Sequence, residues 1–129
     1  MIVDGIGRAS ELEDKIDPVT SRPFLERPEQ LLETSHPVMD AVRKTYNPAS
    51  GLVCLGGFQN VRNVFGWEGF TLELDETRYD WGTVYEIEVE TTEPEALRDK
   101  LEAFLKEHGV GYKYSTVSKF ANFRNRTLE

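Results

Sequence analysis

The sequence predicts an α+β protein built around an antiparallel β-sheet, and two features of its residue pattern support this fold class. Residues 51–92 contain segments in which apolar and polar residues alternate, separated by short connections, as in antiparallel hairpins. The segments on either side, 18–50 and 93–109, carry apolar residues at helical spacing instead. The length of 129 residues indicates a single domain.

Two segments precede the predicted sheet. Residues 1–17 are polar and acidic, and Leu12 lies between two glutamates, which indicates a strand-like segment from Arg8 to Asp17. Residues 18–50 form a predicted helical connection, whose clearest part is the stretch PVMDAVRKTY with its apolar residues at helical spacing. The stretch NPASG that follows is expected to end this helix.

The strands themselves are expected within residues 51–92. The run LVCLGGFQNVRNVF, residues 52–65, predicts one long strand or two strands joined at Gly56 and Gly57. TLELDET and TVYEIEVET are the next two predicted strands, and RYDWG connects them. Connections this short favour antiparallel neighbours in one sheet.

An amphipathic helix is predicted for residues 93–109. The stretch TEPE, residues 92–95, matches a capping box at its start. Its apolar stripe consists of Leu97, Leu101, Phe104 and Leu105. In the C-terminal segment, residues 110–129, a last short helix is expected, capped by Ser115 or Thr116.

The net charge, the single cysteine and the lack of long apolar runs restrict the binding partners and the cellular location that we expect. The net charge is −8, and an acidic surface disfavours nucleic acid and anionic membranes. The single cysteine, Cys54, cannot form an internal disulfide, and its apolar surroundings predict a buried structural thiol. The sequence has neither a hydrophobic signal core at its start nor an apolar run of about 18 residues. We therefore expect a cytoplasmic protein without nucleic-acid or membrane partners.

Two predicted strands carry rows of carboxylates. Glu86 and Glu88 alternate with apolar residues in YEIEVE, and Glu73 and Asp75 do so in LELDET, so each pair lies on one face of its strand. One interpretation is a solvated sheet face, which antiparallel sheets often have. Like charges on adjacent strands repel, however, which favours a second interpretation in which a divalent cation such as Mg²⁺ neutralises them.

Basic residues that could bind phosphate are scattered along the chain. Arg62 lies in FQNVRNVF, Lys119 lies in SKFANFR, and Arg8 precedes the first acidic segment. A solvated surface charge is the alternative interpretation for each of them taken singly. As a set, they predict a phosphate site beside the carboxylates.

Three stretches together, GLVCLGGFQNVRNVF, LELDETRYDWGTVYEIEVET and SKFANFR, resemble the C-terminal half of the CYTH superfamily, the triphosphate tunnel metalloenzymes. The resemblance implies part of an eight-stranded antiparallel tunnel barrel with flanking helices. In the family, strands with Arg-x-Arg and Lys-x-Lys follow the N-terminal signature; residues 1–50 contain neither pattern, which predicts that the N-terminal half of the barrel is missing. Unpaired sheet edges then predict self-association, as a homodimer, or a partner that supplies the other half.

The resemblance also implies a chemistry, the metal-dependent hydrolysis of a small molecule that contains a triphosphate. It implies Mg²⁺ or Mn²⁺ as the cofactor, held by Glu86, Glu88, Asp75 and, through the looser match of the stretch GRASELED, Glu11, with Glu13 as a further acidic residue of the tunnel. It implies phosphate contacts for Arg62 and Lys119. The alternative is a non-catalytic half-domain that binds divalent metal or polyphosphate or acts in assembly.

Overall fold

The computed structural model describes residues 2–3, 5–7 and 9–129, which form two compact units. One unit combines the described part of residues 1–9 with residues 57–129, and the other consists of residues 10–56. The first unit holds antiparallel sheets together with helices, which confirms the α+β class.

The described strands form a small sheet and a larger one. β1 (Ile2–Val3) pairs with β2 (Ile6–Gly7), and both sheets are antiparallel. The larger sheet has the order β3 (Gln59–Trp67), β4 (Phe70–Tyr79) and β5 (Gly82–Glu88). Consecutive strands are neighbours throughout, as short hairpin connections require.

A two-residue turn joins β3 to β4 and sets the register of this hairpin. Trp67 pairs with Phe70, which leaves Glu68 and Gly69 as the two turn residues. Their φ angles are 50° and 83°, so both adopt the left-handed conformation that matches the twist of two-residue hairpins. The turn therefore places each side chain of β3 opposite one defined side chain of β4.

Two helices complete the first unit. α3 (Pro94–Glu107) buries Leu97 and Leu105, and its Phe104 packs edge-on against Trp67 of the sheet, with ring centroids 5.3 Å apart. The shorter α4 (Lys119–Asn125) lies near the C-terminus.

The second unit contains short helical segments. α1 (Pro18–Ser21) leads into two 3₁₀ helices, Arg22–Leu25 and Pro28–Glu33, and α2 (Pro37–Tyr46) follows. The guanidinium of Arg43 in α2 donates hydrogen bonds to the carbonyls of Leu32 at 2.5 Å and Thr34 at 3.3 Å. These bonds attach α2 to the preceding 3₁₀ helix.

Several local expectations were wrong. Residues 9–17 and 51–58 contain no strand, and Cys54 is exposed rather than buried. The N-cap of α3 is Glu93, whose backbone N–H donates to the hydroxyl of Thr91, so the predicted capping box is not formed. The last helix begins after Ser118, later than expected. Within the described residues, no helix is long and apolar enough to cross a membrane.

Candidate functional site

One face of the larger sheet gathers four carboxylates. Strand alternation places Glu73 and Asp75 of β4 on the same face, and the register puts Glu88 opposite Glu73 and Glu86 opposite Asp75. Carboxylates opposed in this way repel each other unless cations lie between them. The two acidic rows predicted from the sequence therefore lie side by side.

Arg62 provides the first of these cations. It lies on β3 directly opposite Asp75, and its guanidinium donates two hydrogen bonds to that carboxylate, at 2.8 and 2.7 Å. The same guanidinium reaches Oε2 of Glu73 at 2.5 Å and Oε2 of Glu88 at 2.8 Å. The two-pronged contact with Asp75 is the geometry in which arginine binds planar carboxylates and phosphates most strongly.

Lys119 provides the second cation from the first position of α4. Its Nζ lies 2.9 Å from Oδ2 of Asp75, 3.2 Å from Oε2 of Glu86 and 2.5 Å from Oε1 of Glu88. Its side chain is only 16% exposed, so these contacts are shielded from water. We call the six side chains the ion-pair cluster: Arg62, Glu73, Asp75, Glu86, Glu88 and Lys119. Two cations face four carboxylates, which leaves a formal charge of −2.

Neutral side chains form further hydrogen bonds within and beside the cluster. The hydroxyl of Ser115 donates to Oε1 of Glu86 at 2.8 Å. Thr77, two residues along β4 from Asp75, is fully buried and donates to Oδ1 of Asn60 at 2.8 Å. Every buried side-chain nitrogen or oxygen in the described residues has a hydrogen-bond partner. The site is therefore a satisfied polar network, whose members are fixed by one another.

The charges of the cluster reinforce each other. The Arg62 guanidinium, hydrogen-bonded to Asp75, holds the pKa of Asp75 well below its ordinary value, and Lys119 adds to this effect. Burial lowers the pKa of Lys119, but its hydrogen bonds to Glu88 and Asp75 outweigh burial and raise that pKa overall. Asp75 likewise raises the pKa of Arg62. These three groups are consequently charged across the physiological pH range.

The structure brings together most of the residues predicted as a site. The five that meet in the cluster are Arg62, Asp75, Glu86, Glu88 and Lys119. Glu11 lies in the second unit, exposed and outside regular secondary structure, so its role stays a prediction. Arg8 lies outside the described residues.

Two contributing residues were missing from the ligands that the resemblance implies. Alternation had already placed Glu73 in the acidic row beside Asp75, but Glu73 was not assigned a role in the site. Ser115 reaches Glu86 from a loop 29 residues away in sequence, and no local pattern signals such a contact.

The cluster has the donor chemistry of a divalent-cation site. Among the residues that the structure describes, no group of three or more His, Cys, Asp or Glu side chains is arranged to hold a metal ion. Three carboxylates nevertheless converge on one cation, since Asp75, Glu86 and Glu88 each place an oxygen within 3.2 Å of the same Nζ. Carboxylate oxygens are the ligands that Mg²⁺ and Mn²⁺ prefer. These oxygens thus have the chemistry of such ligands, and in this structure the ammonium of Lys119 lies between them.

Comparisons with known proteins point to one family. The family model of the CYTH domain matches residues 9–123. Among solved structures, the chain is similar to HpAC1 from Hippeastrum, a candidate adenylyl cyclase that is described as having a dominant triphosphatase activity. The sequence identity is 46% and the TM-score is 0.90, over 100% of this chain and 64% of that chain. This chain therefore spans less than two thirds of the length of HpAC1. No curated protein matches the chain.

Proposed function

Because the chain belongs to the CYTH domain family, we propose that it hydrolyses a small molecule containing a triphosphate, in a reaction that requires Mg²⁺ or Mn²⁺. The ion-pair cluster is the observation that carries this proposal. It joins two cations suited to phosphate with carboxylates suited to a divalent metal on one sheet face. The triphosphatase activity described for HpAC1 supports the same reaction class.

Asp75, Glu86 and Glu88 would hold the metal, through the oxygens that now contact Lys119. A bound divalent cation supplies positive charge to the phosphate oxygens and orients them. The formal charge of −2 on the cluster would repel a bare triphosphate, which supports a role for such a cation.

Arg62 and Lys119 would exchange carboxylate partners for phosphate oxygens. The guanidinium of Arg62 already makes a two-pronged contact with Asp75, and phosphate accepts the same arrangement. The Lys119 ammonium would act as a point charge on the phosphate chain. Each exchange frees a carboxylate oxygen while it binds a substrate oxygen, so metal binding and substrate binding favour one another.

The reaction is the attack of water on the terminal phosphorus. The oxygen of water forms a new P–O bond, the bridging P–O bond breaks, and the leaving polyphosphate takes the electron pair. The proton of water passes to a nearby base or to solvent. The two cations of the cluster stabilise the negative charge on the phosphoryl oxygens in the transition state.

Phosphate release from tripolyphosphate tests the proposal. The protein is assayed with Mg²⁺, with Mn²⁺ and with EDTA, and Glu86→Gln and Glu88→Gln are compared with wild type. We expect each variant to lose at least about 100-fold in activity, because losing an outer-shell partner of a metal ligand already costs about 10–100-fold. Glu76→Gln is the matched control, because Glu76 lies on the opposite face of β4, paired with Arg78 at 2.8 Å. A wild-type protein that releases no phosphate with either metal contradicts the proposal.

ATP in the same assay separates two outcomes of triphosphate chemistry. A triphosphatase releases inorganic phosphate from ATP, whereas a cyclase releases pyrophosphate. We expect inorganic phosphate, in agreement with the dominant activity described for HpAC1.

A second candidate function is binding without turnover. Both cations of the cluster are already paired with carboxylates, so the cluster has little positive charge to spare for a phosphate chain. In that case the domain would bind divalent metal or metal-loaded polyphosphate, or act in assembly with a second copy or a partner. Isothermal titration calorimetry tests this function. Binding of Mn²⁺ and tripolyphosphate without phosphate release in the assay would favour it over hydrolysis.

A further inference from the structure

Tyr79 connects the sheet directly to the residue that carries the second cation. It lies on the same face of β4 as Asp75 and Thr77, and it is only 7% exposed. Its hydroxyl donates a hydrogen bond of 2.9 Å to the backbone carbonyl of Lys119. One side chain of the sheet therefore fixes the start of α4.

The position of α4 depends on such contacts. The helix has seven residues, and helices this short are not stable in water without tertiary packing. The hydroxyl of Ser118 caps it by accepting from the backbone N–H of Ala121 at 3.2 Å, but this bond is internal to the segment. It therefore cannot place the helix on the sheet.

Aromatic packing holds the body of α4, whereas Tyr79 contacts the backbone of its first residue. Phe123 of α4 contacts Phe58 and Trp81, with centroid distances of 5.4 and 6.2 Å. Tyr79 stacks on Trp81 at 5.0 Å and 13°, so its ring belongs to the same aromatic group. These ring contacts are apolar and only loosely directional, whereas the hydroxyl makes a directed bond at Lys119 itself.

We propose that Tyr79 is a positioning residue, which acts on phosphate through Lys119. Its hydroxyl sets where α4 begins and so holds Nζ of Lys119 within 3.2 Å of Asp75, Glu86 and Glu88. Without this bond the ammonium samples a wider region and binds phosphate less well. This role rests on the proposed function for its kinetic consequence, but its effect on the Lys119 ammonium is independent of catalysis.

Tyr79→Phe tests the role, because it removes the hydroxyl and keeps the ring that packs on Trp81. We expect KM for tripolyphosphate to rise about fivefold, the effect of losing one neutral hydrogen bond, while kcat changes less. In a Lys119→Met background, the same substitution should leave KM unchanged. Tyr85→Phe is the matched control, because Tyr85 is 74% exposed and lies on the opposite face of the sheet.

The Lys119 ammonium can also be observed directly by NMR, assigned by its loss in Lys119→Met. We expect its proton exchange with water to be about fivefold faster in Tyr79→Phe, and unchanged in Tyr85→Phe. The proposal is overturned if the Lys119 ammonium exchanges its protons equally fast in Tyr79→Phe and in wild type. It is also overturned if Tyr79→Phe raises KM equally in the presence of Lys119 and in the Lys119→Met background. If the wild-type protein releases no phosphate, the proposed function fails, and the exchange measurement alone decides whether Tyr79 positions Lys119.

Discussion

Replacing Lys119 with methionine removes the cation around which three carboxylates are arranged. Methionine keeps most of the apolar stem, so the change is mainly the loss of the ammonium. The side chain of Lys119 is 16% exposed, and that of Asp75 is completely buried. Since these charges are shielded from water, their separation is not compensated by solvent.

The size of the effect follows from the exposure of each partner. Removing one member of a buried ion pair costs about 3–5 kcal/mol, because a charge is left buried without its counterion. Here Arg62 still pairs with Asp75, and Glu88 is 44% exposed, so water compensates part of the loss. We therefore expect the free energy of unfolding to fall by about 2 kcal/mol.

Urea unfolding at pH 7 in EDTA measures this change. Lys113→Met is the matched control, because Lys113 is exposed on a loop of the same unit, and it should shift stability by no more than about 0.5 kcal/mol. In Lys119→Met the three carboxylate oxygens no longer contact an ammonium. Mg²⁺ at ten times its Kd for this variant should therefore stabilise the variant by about 1.4 kcal/mol, and should stabilise wild type less. If Lys119→Met is as stable as the control variant, Lys119 contributes no net stability to the cluster and our reasoning about its burial is refuted.

Two further predictions concern Asp75 and the β3–β4 turn. Arg62 holds the pKa of folded Asp75 far below its ordinary value of 3.8. The contribution of Asp75 to stability is therefore complete above about pH 5 and is lost as the pH falls through 3.8 and below. Asp75→Asn should therefore flatten the acid limb of stability against pH, measured by urea unfolding in EDTA; a limb as steep as that of wild type would contradict this. Gly69→Ala should cost about 1–2 kcal/mol in thermal unfolding, because Gly69 has φ +83°. Gly66→Ala, where an added Cβ meets nothing within 4 Å, should cost nothing comparable.

The faces of the strands could be predicted from the sequence, but the arrangement of charges on them could not. Alternation fixes that Glu73 and Asp75 share a face, and that Glu86 and Glu88 do, whatever the register. It does not show which of them are opposed, because one residue of slip changes every partner. For these two strands the connection through Asp80 and Trp81, between the paired residues Tyr79 and Gly82, supplies this information.

The approach of Lys119 to the sheet was beyond local sequence patterns. It lies 31 residues from Glu88, and its contact depends on how α4 packs through Tyr79 and the aromatic group. The run LVCLGG shows the converse error, a local pattern that predicts structure which does not form. Its apolar character predicted a strand, and the structure has none there. Strand propensity mainly reflects packing against neighbours, so an apolar run without a paired strand need not become one.

The charge balance of the cluster links its stability to its proposed function. Arg62 and Lys119 stabilise the carboxylates in the free protein, and the same two groups would bind the phosphate chain. When Arg62 and Lys119 bind the phosphate chain instead, Asp75, Glu86 and Glu88 lose their counterions in a partly buried site. This loss costs free energy. A divalent cation on those carboxylates removes this cost, so substrate and metal should each bind more tightly in the presence of the other. Titration of tripolyphosphate at rising Mn²⁺ measures this coupling, and affinity that is independent of Mn²⁺ would show that the carboxylates do not hold the metal.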